Sequence, residues 1–303
     1  MKNEARKQEV RGLWLGVVGV VIFALTLPMT RLAVGTPEAP QMSGMFIALG
    51  RAVVAAVLSA GFLAATRAPL PRRADWLPLA ITSAGVVFGF PLFTSIAMRY
   101  VEAVHASVIV GVLPLATAVV GAWLHRQRPS GAFWLCAAAG SALVVGFAVL
   151  KSGNGVALHT ADLLLFAAMA CAAVGYGYGG QLSQRMRAEH VICWALVIAL
   201  PLTVPLAVLA RPQADVQPAA WWGFAYVAVF SMWIGFFAWY RGLALGGTVR
   251  VSQVQLLQPF LSMVFAVPLL GERLDTLTLG FAVAVIATVF IGRKMPVRAR
   301  ASA

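Results

Sequence analysis

The chain repeats itself. Residues 240–291 lie on residues 95–146 without a gap at a constant offset of 145, the separation of Pro114 and Pro259. Ser252 falls on Ser107, Asp275 on Ser130, and Gly271-Glu272-Arg273 on Arg126-Gln127-Arg128. Each copy reads as a helix, a short polar hinge, a helix containing a proline, a charged turn and a third helix. A self-similarity of this kind constrains the architecture before any local assignment is made. It divides the chain into two related halves, residues 1–151 and 152–303.

Composition says where such a chain resides. Of its 303 residues, 61% are hydrophobic and 11% charged, against roughly 25% charged in soluble domains. Too little polar surface is available to cover a soluble fold, so the chain is read as an all-α integral membrane protein. Apolar runs occur at about 12–34, 43–66, 76–98, 102–124, 131–150, 161–184, 190–210, 219–240, 249–270 and 276–292. Each is near the roughly 20 residues that a bilayer core requires, so ten transmembrane helices are expected. Lys2, Arg6, Lys7 and Arg11 precede the first run as in a signal peptide. That run is longer than the about 7–15 apolar residues of a signal sequence, and is taken as a span. Asp75, Ser130, Thr160 and Asp275 are placed to accept backbone N–H bonds as helix caps.

The cations orient the spans. With ten crossings, 17 of the 23 Lys and Arg residues fall on the side of the termini and 5 on the other, leaving Arg51 inside a span. This bias puts both termini in the cytoplasm of an inner-membrane protein. The net charge of +13 is spread over short loops, with no basic face interleaved with aromatics, so no nucleic-acid partner is implied. Cys136, Cys171 and Cys193 lie in apolar runs without CxxC spacing and are read as reduced packing residues. Five helices per half is an odd number, so the second half enters the membrane from the opposite side. Such inverted repeats are typical of secondary transporters.

In this order and with this repeat, several residues resemble the drug/metabolite transporter superfamily in its ten-helix EamA-type branch. They are Trp14, Arg51 in Ala48-Leu49-Gly50-Arg51-Ala52, the string Ala97 to Ser107, and Leu113-Pro114-Leu115. In the second half they are Gln258-Pro259-Phe260 and Gly271-Glu272-Arg273-Leu274. The resemblance implies a carrier of small metabolites, amino acids or related amphipathic compounds, without a cofactor or an obligatory protein partner. The first copy departs from the family: His125-Arg126-Gln127-Arg128 stands where Gly-Glu-Arg is usual.

Transport needs a cavity near the midplane, groups that recognise a substrate, and places where helices bend. Pro114 and Pro259, related by the repeat, are candidate gating bends together with Pro28. Gly12 and Gly16, Gly175 and Gly179, and Gly242 and Gly246 have the spacing that permits close helix contact. Arg51, the arginine well inside a span, is read either as an anion contact or as a structural residue. Ser252, Gln255, Pro259 and Ser262 fall on one face of the ninth span with Gln258 beside it, while Val110 and Leu113, the positions matching Gln255 and Gln258, are apolar. Polar residues on one half only are expected where substrate binds asymmetrically. Tyr176, Tyr178, Tyr100 and Trp233 are further candidates for the cavity wall, and His105 for proton coupling.

No span contains a deep carboxylate, and neither HExxH, a P-loop nor a Ser/His/Asp arrangement occurs. An enzyme or an ATP-driven pump is therefore not expected. The expected function is alternating-access transport, with an amino acid or related metabolite as substrate and the lipid bilayer as partner. Export of drugs or cationic compounds remains an alternative, as does a membrane scaffold without transport.

Overall fold

A computed structural model describes residues 2–101, 106, 110–152, 160–270, 276–292 and 294–299. The described residues are mostly helical, as the apolar runs dictate. Among the described residues, five helices are long and apolar enough to cross a membrane: Arg6–Val34, Gly44–Ala65, Arg73–Ala97, Ala161–Leu182 and Pro218–Gly246. Ala188–Val197 and Leu200–Leu209, bent by 54° next to Pro201, make a sixth if taken as one span. The other apolar runs give further helices, among them Gly131–Ser152 and Thr276–Gly292. Leu113–Leu124 starts beside Pro114, and in the ninth run a 3-10 segment, Ser252–Leu257, precedes the helix Gln258–Leu270.

Irregular turns recur by symmetry. The third run changes from α-helix to a π-helical stretch at Ser83–Gly89 and back. The eighth does the same at Val227–Ile234, and an offset of 145 carries the first stretch onto the second. Helix Leu113–Leu124 and helix Gln258–Leu270 likewise begin at equivalent residues, one position before the paired prolines. Mid-helix π segments often mark hinges, and here both halves carry one at matching positions.

The packing follows the same exchange between halves. Lys2–Ala24 of the first half packs on Gly235–Gly246 of the second, and in mirror fashion Thr160–Leu182 packs on the third run. Gly44–Ala65 lies against the bent pair Ala188–Leu209, and Gly131–Ser152 against Thr276–Gly292. Close approach needs glycine. A Cβ on Gly12 would lie 2.3 Å from the Gly246 nitrogen, and one on Gly242 would lie 2.8 Å from the Gly16 nitrogen. The small-residue motifs of the first and eighth runs thus meet face to face. The packing of the sixth run on the third also needs glycine, since a Cβ on Gly85 would lie 2.5 Å from the Cys171 oxygen and 3.0 Å from Gly175.

Loops meet in two groups. At the end rich in arginine, Arg250 bonds Glu9 at 2.7 Å, Arg185 approaches Asp75 at 3.7 Å, and Arg241 bonds Glu189 at 3.1 Å. Gln127–Pro129 also pairs antiparallel with Val297–Ala299, so the all-α expectation is amended by a two-stranded ribbon. This ribbon starts where the sequence departs from the family, with Arg126 at φ 48° turning the chain out of the helix. At the opposite end, Arg31 donates to the carbonyls of Met98, Arg99 and Val101, and the Gln217 N–H donates to Gln41.

Two expected caps are described. Ser130 accepts from the Phe133 N–H at 3.2 Å. Asp75 makes no side-chain cap bond and instead faces Arg185, because a buried carboxylate gains more from an arginine than from one N–H. Asp275 and the Glu272–Arg273 turn lie outside the described residues.

Candidate functional site

The first span is interrupted at Leu25, before Thr26–Val34. Pro28 has no N–H, so it leaves the Ala24 carbonyl without its helical donor. Side chains of the second half supply donors to three successive carbonyls here. Tyr226 Oη donates to Ile22 at 2.8 Å, Gln258 Nε2 to Phe23 at 3.3 Å, and Ser262 Oγ to Ala24. Two residues on, Thr26 Oγ1 bonds Ser231 Oγ at 2.9 Å, and Ser231 belongs to the π-helical stretch of the eighth run. The break in one half is therefore tied by hydrogen bonds to the hinge of the other.

A small cavity adjoins this break. Thr26, Arg51, Tyr176, Ser231, Met232 and Gln258 contribute to its wall, and its free volume is about 20 Å³. A second, of about 10 Å³, shares Leu27, Val110, Leu113 and Gln258 with it and adds Gln255, Pro259 and Ser262. Together they hold no more than a water or two. The repeat-related residues face one another across this space. Val110 and Leu113 form an apolar wall opposite Gln255 and Gln258, so the asymmetry in the sequence becomes a two-sided cavity.

The polar wall is incompletely bonded. Arg51 is 3% exposed and its Nε has no hydrogen-bond partner. Tyr176 comes near both Arg51 and the Gln255 amide. Yet neither amide atom of Gln255, itself 3% exposed, completes a bond of normal geometry. Buried polar groups without partners are uncommon and costly, and these cluster at the junction of the halves. Neither pocket is lined by Asp or Glu among the described residues.

The remaining candidates sit elsewhere. Tyr100 is 66% exposed at the end of the third run. Trp233 packs on Phe62 and Phe237 and lines neither pocket. Tyr178 lies two residues from Tyr176, so its side chain points to another face of the same helix and does not line either pocket. Ser252 is buried and donates to the Val249 carbonyl, while Gln253 Nε2 bonds the Pro114 carbonyl at 3.3 Å. Pro114, Pro259 and Pro28 each sit in the first turn of a helix that resumes after an irregular stretch. His105 lies outside the described residues. Thr26, Ser231 and Tyr226 were not anticipated, although Thr26 stands two residues before Pro28 and each is a small or amphipathic donor in an apolar run.

A multi-pass membrane protein whose helices break beside a small polar cavity is built as a carrier. The sequence matches the EamA-like transporter family twice, over residues 10–149 and 159–292, and the chain belongs to that family. It is a transporter rather than an enzyme. Over 284 residues it is 41% identical to the uncharacterized transporter YdeK of Bacillus subtilis (strain 168), covering 93% of this chain and 96% of the relative. The uncharacterized transporter sll0355 of Synechocystis sp. is 23% identical over 271 residues, covering 82% and 81%. A solved crystal structure of 16% identity superposes with a TM-score of 0.73 over 93% of this chain and 98% of that chain. That likeness shows the shared fold.

Proposed function

We propose that the protein moves small zwitterionic metabolites, amino acids with apolar side chains foremost, across the bacterial inner membrane by alternating access. The observation that carries this reading is the two-sided cavity. Arg51 offers a guanidinium for a carboxylate, and the Gln255 amide offers an acceptor for an ammonium group. Leu27, Val110 and Leu113 offer a surface for an apolar side chain. A cationic drug would find no acidic partner among the described lining residues.

The reading includes ten spans in two inverted five-helix units, 1–151 and 152–303, with both termini cytoplasmic. The meeting of loops supports it. Residues assigned to one side by alternation contact each other, as Glu9 does Arg250 and Gln127–Pro129 does Val297–Ala299. Those assigned to the other side do likewise, as Gln41 does Gln217. The matched π-helical stretches and the paired proline breaks are the joints about which the units would rock, enlarging a cavity too small for a metabolite as it stands. Flux into proteoliposomes across amino acids and cationic dyes tests the substrate class. Saturable flux of an apolar amino acid, abolished by Arg51→Gln, is expected; flux of dyes alone would replace this reading with drug export.

A further inference from the structure

A hydrocarbon-lined space far larger than the central cavity lies elsewhere on the molecule. A groove of about 180 Å³ opens on the outer surface between the first, ninth and tenth runs, lined by Leu13, Val17, Val254, Leu257, Ile286 and Val289. It is roofed by Val10 and Trp14, which it shares with a wide basin of about 520 Å³ whose remaining lining is Arg6, Lys7 and Arg11. Residues 6, 7, 10, 11 and 14 fall on one face of the helix Lys2–Ala24 at intervals of three and four, so the cations stand directly above the apolar slot. Glu9 is turned away from them and bound to Arg250 at 2.7 Å, which leaves Glu4, one turn before Lys7, as the single acid on the face of three cations, so the face keeps a net positive charge. Trp14 is 67% exposed at the junction of basic and apolar residues, the level where tryptophan marks a membrane interface.

We infer that this groove is a binding site for an anionic phospholipid. One acyl chain lies in the slot between Leu13, Leu257 and Ile286, and the phosphodiester and its acidic headgroup rest on Arg6, Lys7 and Arg11. The chemistry fits one occupant. A neutral phospholipid would fill the slot but leave three cations unanswered, and a soluble anion would answer the cations but leave the slot exposed. The site also touches moving parts, because Val254 and Leu257 belong to the 3-10 segment that carries Gln255. An occupied groove therefore bears on the back of the cavity wall from the lipid side.

The test uses the full chain in nanodiscs of mixed phosphatidylglycerol and phosphatidylcholine with identical acyl chains, extracted and examined by native mass spectrometry. Phosphatidylglycerol is expected to stay bound in preference to phosphatidylcholine. The preference should fall roughly fivefold for each cation removed in the series Arg6→Gln, Lys7→Gln, Arg11→Gln, and weaken with salt. Ile286→Trp, which fills the slot, should reduce retention of both lipids while the protein keeps its thermal stability. Equal retention of the two lipids by the unaltered protein would overturn the assignment, as would a preference that survives the triple substitution. A dimer that Ile286→Trp converts to monomer would assign the groove to a second copy of the chain instead. None of these measurements depends on flux, so the lipid site stands or falls apart from the substrate.

Discussion

Replacing Gln255 by leucine should stabilise the protein and disable it. The amide is 3% exposed, and although Tyr176 lies near it, neither of its polar atoms completes a hydrogen bond of normal geometry. A buried polar group left unsatisfied costs about 1–3 kcal/mol. Leucine is close to glutamine in size, so the substitution removes that cost without opening a cavity. The adjoining pocket of about 10 Å³ is at the lower limit for holding a water, so hydration offsets only part of it. Thermal unfolding in detergent should therefore shift upward by a few degrees. Transport should move the other way, because a hydrogen bond to a charged substrate group is worth about 1.5–3 kcal/mol, or roughly 10- to 100-fold in affinity. Gln258→Leu is the control. Its Nε2 is bonded to the Phe23 carbonyl at 3.3 Å, so its loss should destabilise by about 1 kcal/mol. The reasoning is refuted if Gln255→Leu lowers the unfolding temperature as Gln258→Leu does, or if it leaves flux unchanged.

Two further outcomes follow from the arginine-rich end. Glu9 and Arg250 are partly exposed and join the two halves at 2.7 Å, a pair worth about 0.5–1 kcal/mol. Glu9→Gln or Arg250→Gln should raise labelling of a cavity cysteine from that end two- to fivefold, and Glu9→Arg combined with Arg250→Glu should restore the original rate. His125, whose Nε2 lies 3.3 Å from Thr248 Oγ1, has its pKa held below 6.5 by burial. The unfolded chain then binds the proton more readily, so stability is full above about pH 6.5 and is lost as the pH falls through the lowered value. Unfolding temperatures measured across this range should show the slope, and His125→Gln should remove it.

The repeat was legible because identical backbone tasks were met by identical residues. Pro114 and Pro259 each open a helix, and Gly12, Gly16, Gly242 and Gly246 form one contact. The polar face around Gln255 was legible too, since three glutamines in an apolar run have little other reason to be there. What stayed hidden was the partner of each group. Sequence periodicity assumes one helical pitch, whereas Ser252–Leu257 is 3-10 and Val227–Ile234 is π-helical. In a 3-10 turn residues three apart eclipse, so Ser252 stays in line with Gln255 and Gln258, but its hydroxyl donates to the Val249 carbonyl one turn short of the pocket that the two glutamines line. Tyr100 stands apart from the pockets for a different reason. An aromatic residue beside a helix end serves an interface as well as a cavity, and the sequence does not distinguish the two.

The break at Pro28 carries the last consequence. Ser262 Oγ from one half donates to the Ala24 carbonyl of the other, which Pro28 has deprived of its helical donor. In the proposed alternating-access cycle, rocking of the halves separates this pair and leaves the carbonyl to water or to the substrate. The bond therefore stabilises the closed arrangement alone, by about 0.5–1.5 kcal/mol. Ser262→Ala should raise the open fraction by roughly two- to tenfold. Val110 lines both pockets, so the labelling rate of a Val110→Cys thiol, with Cys136, Cys171 and Cys193 replaced by alanine, reports that fraction. Faster labelling with little change in unfolding temperature is expected. If stability falls while labelling stays constant, the bond supports the fold equally in every state, and the Pro28 break is not a joint of the transport cycle.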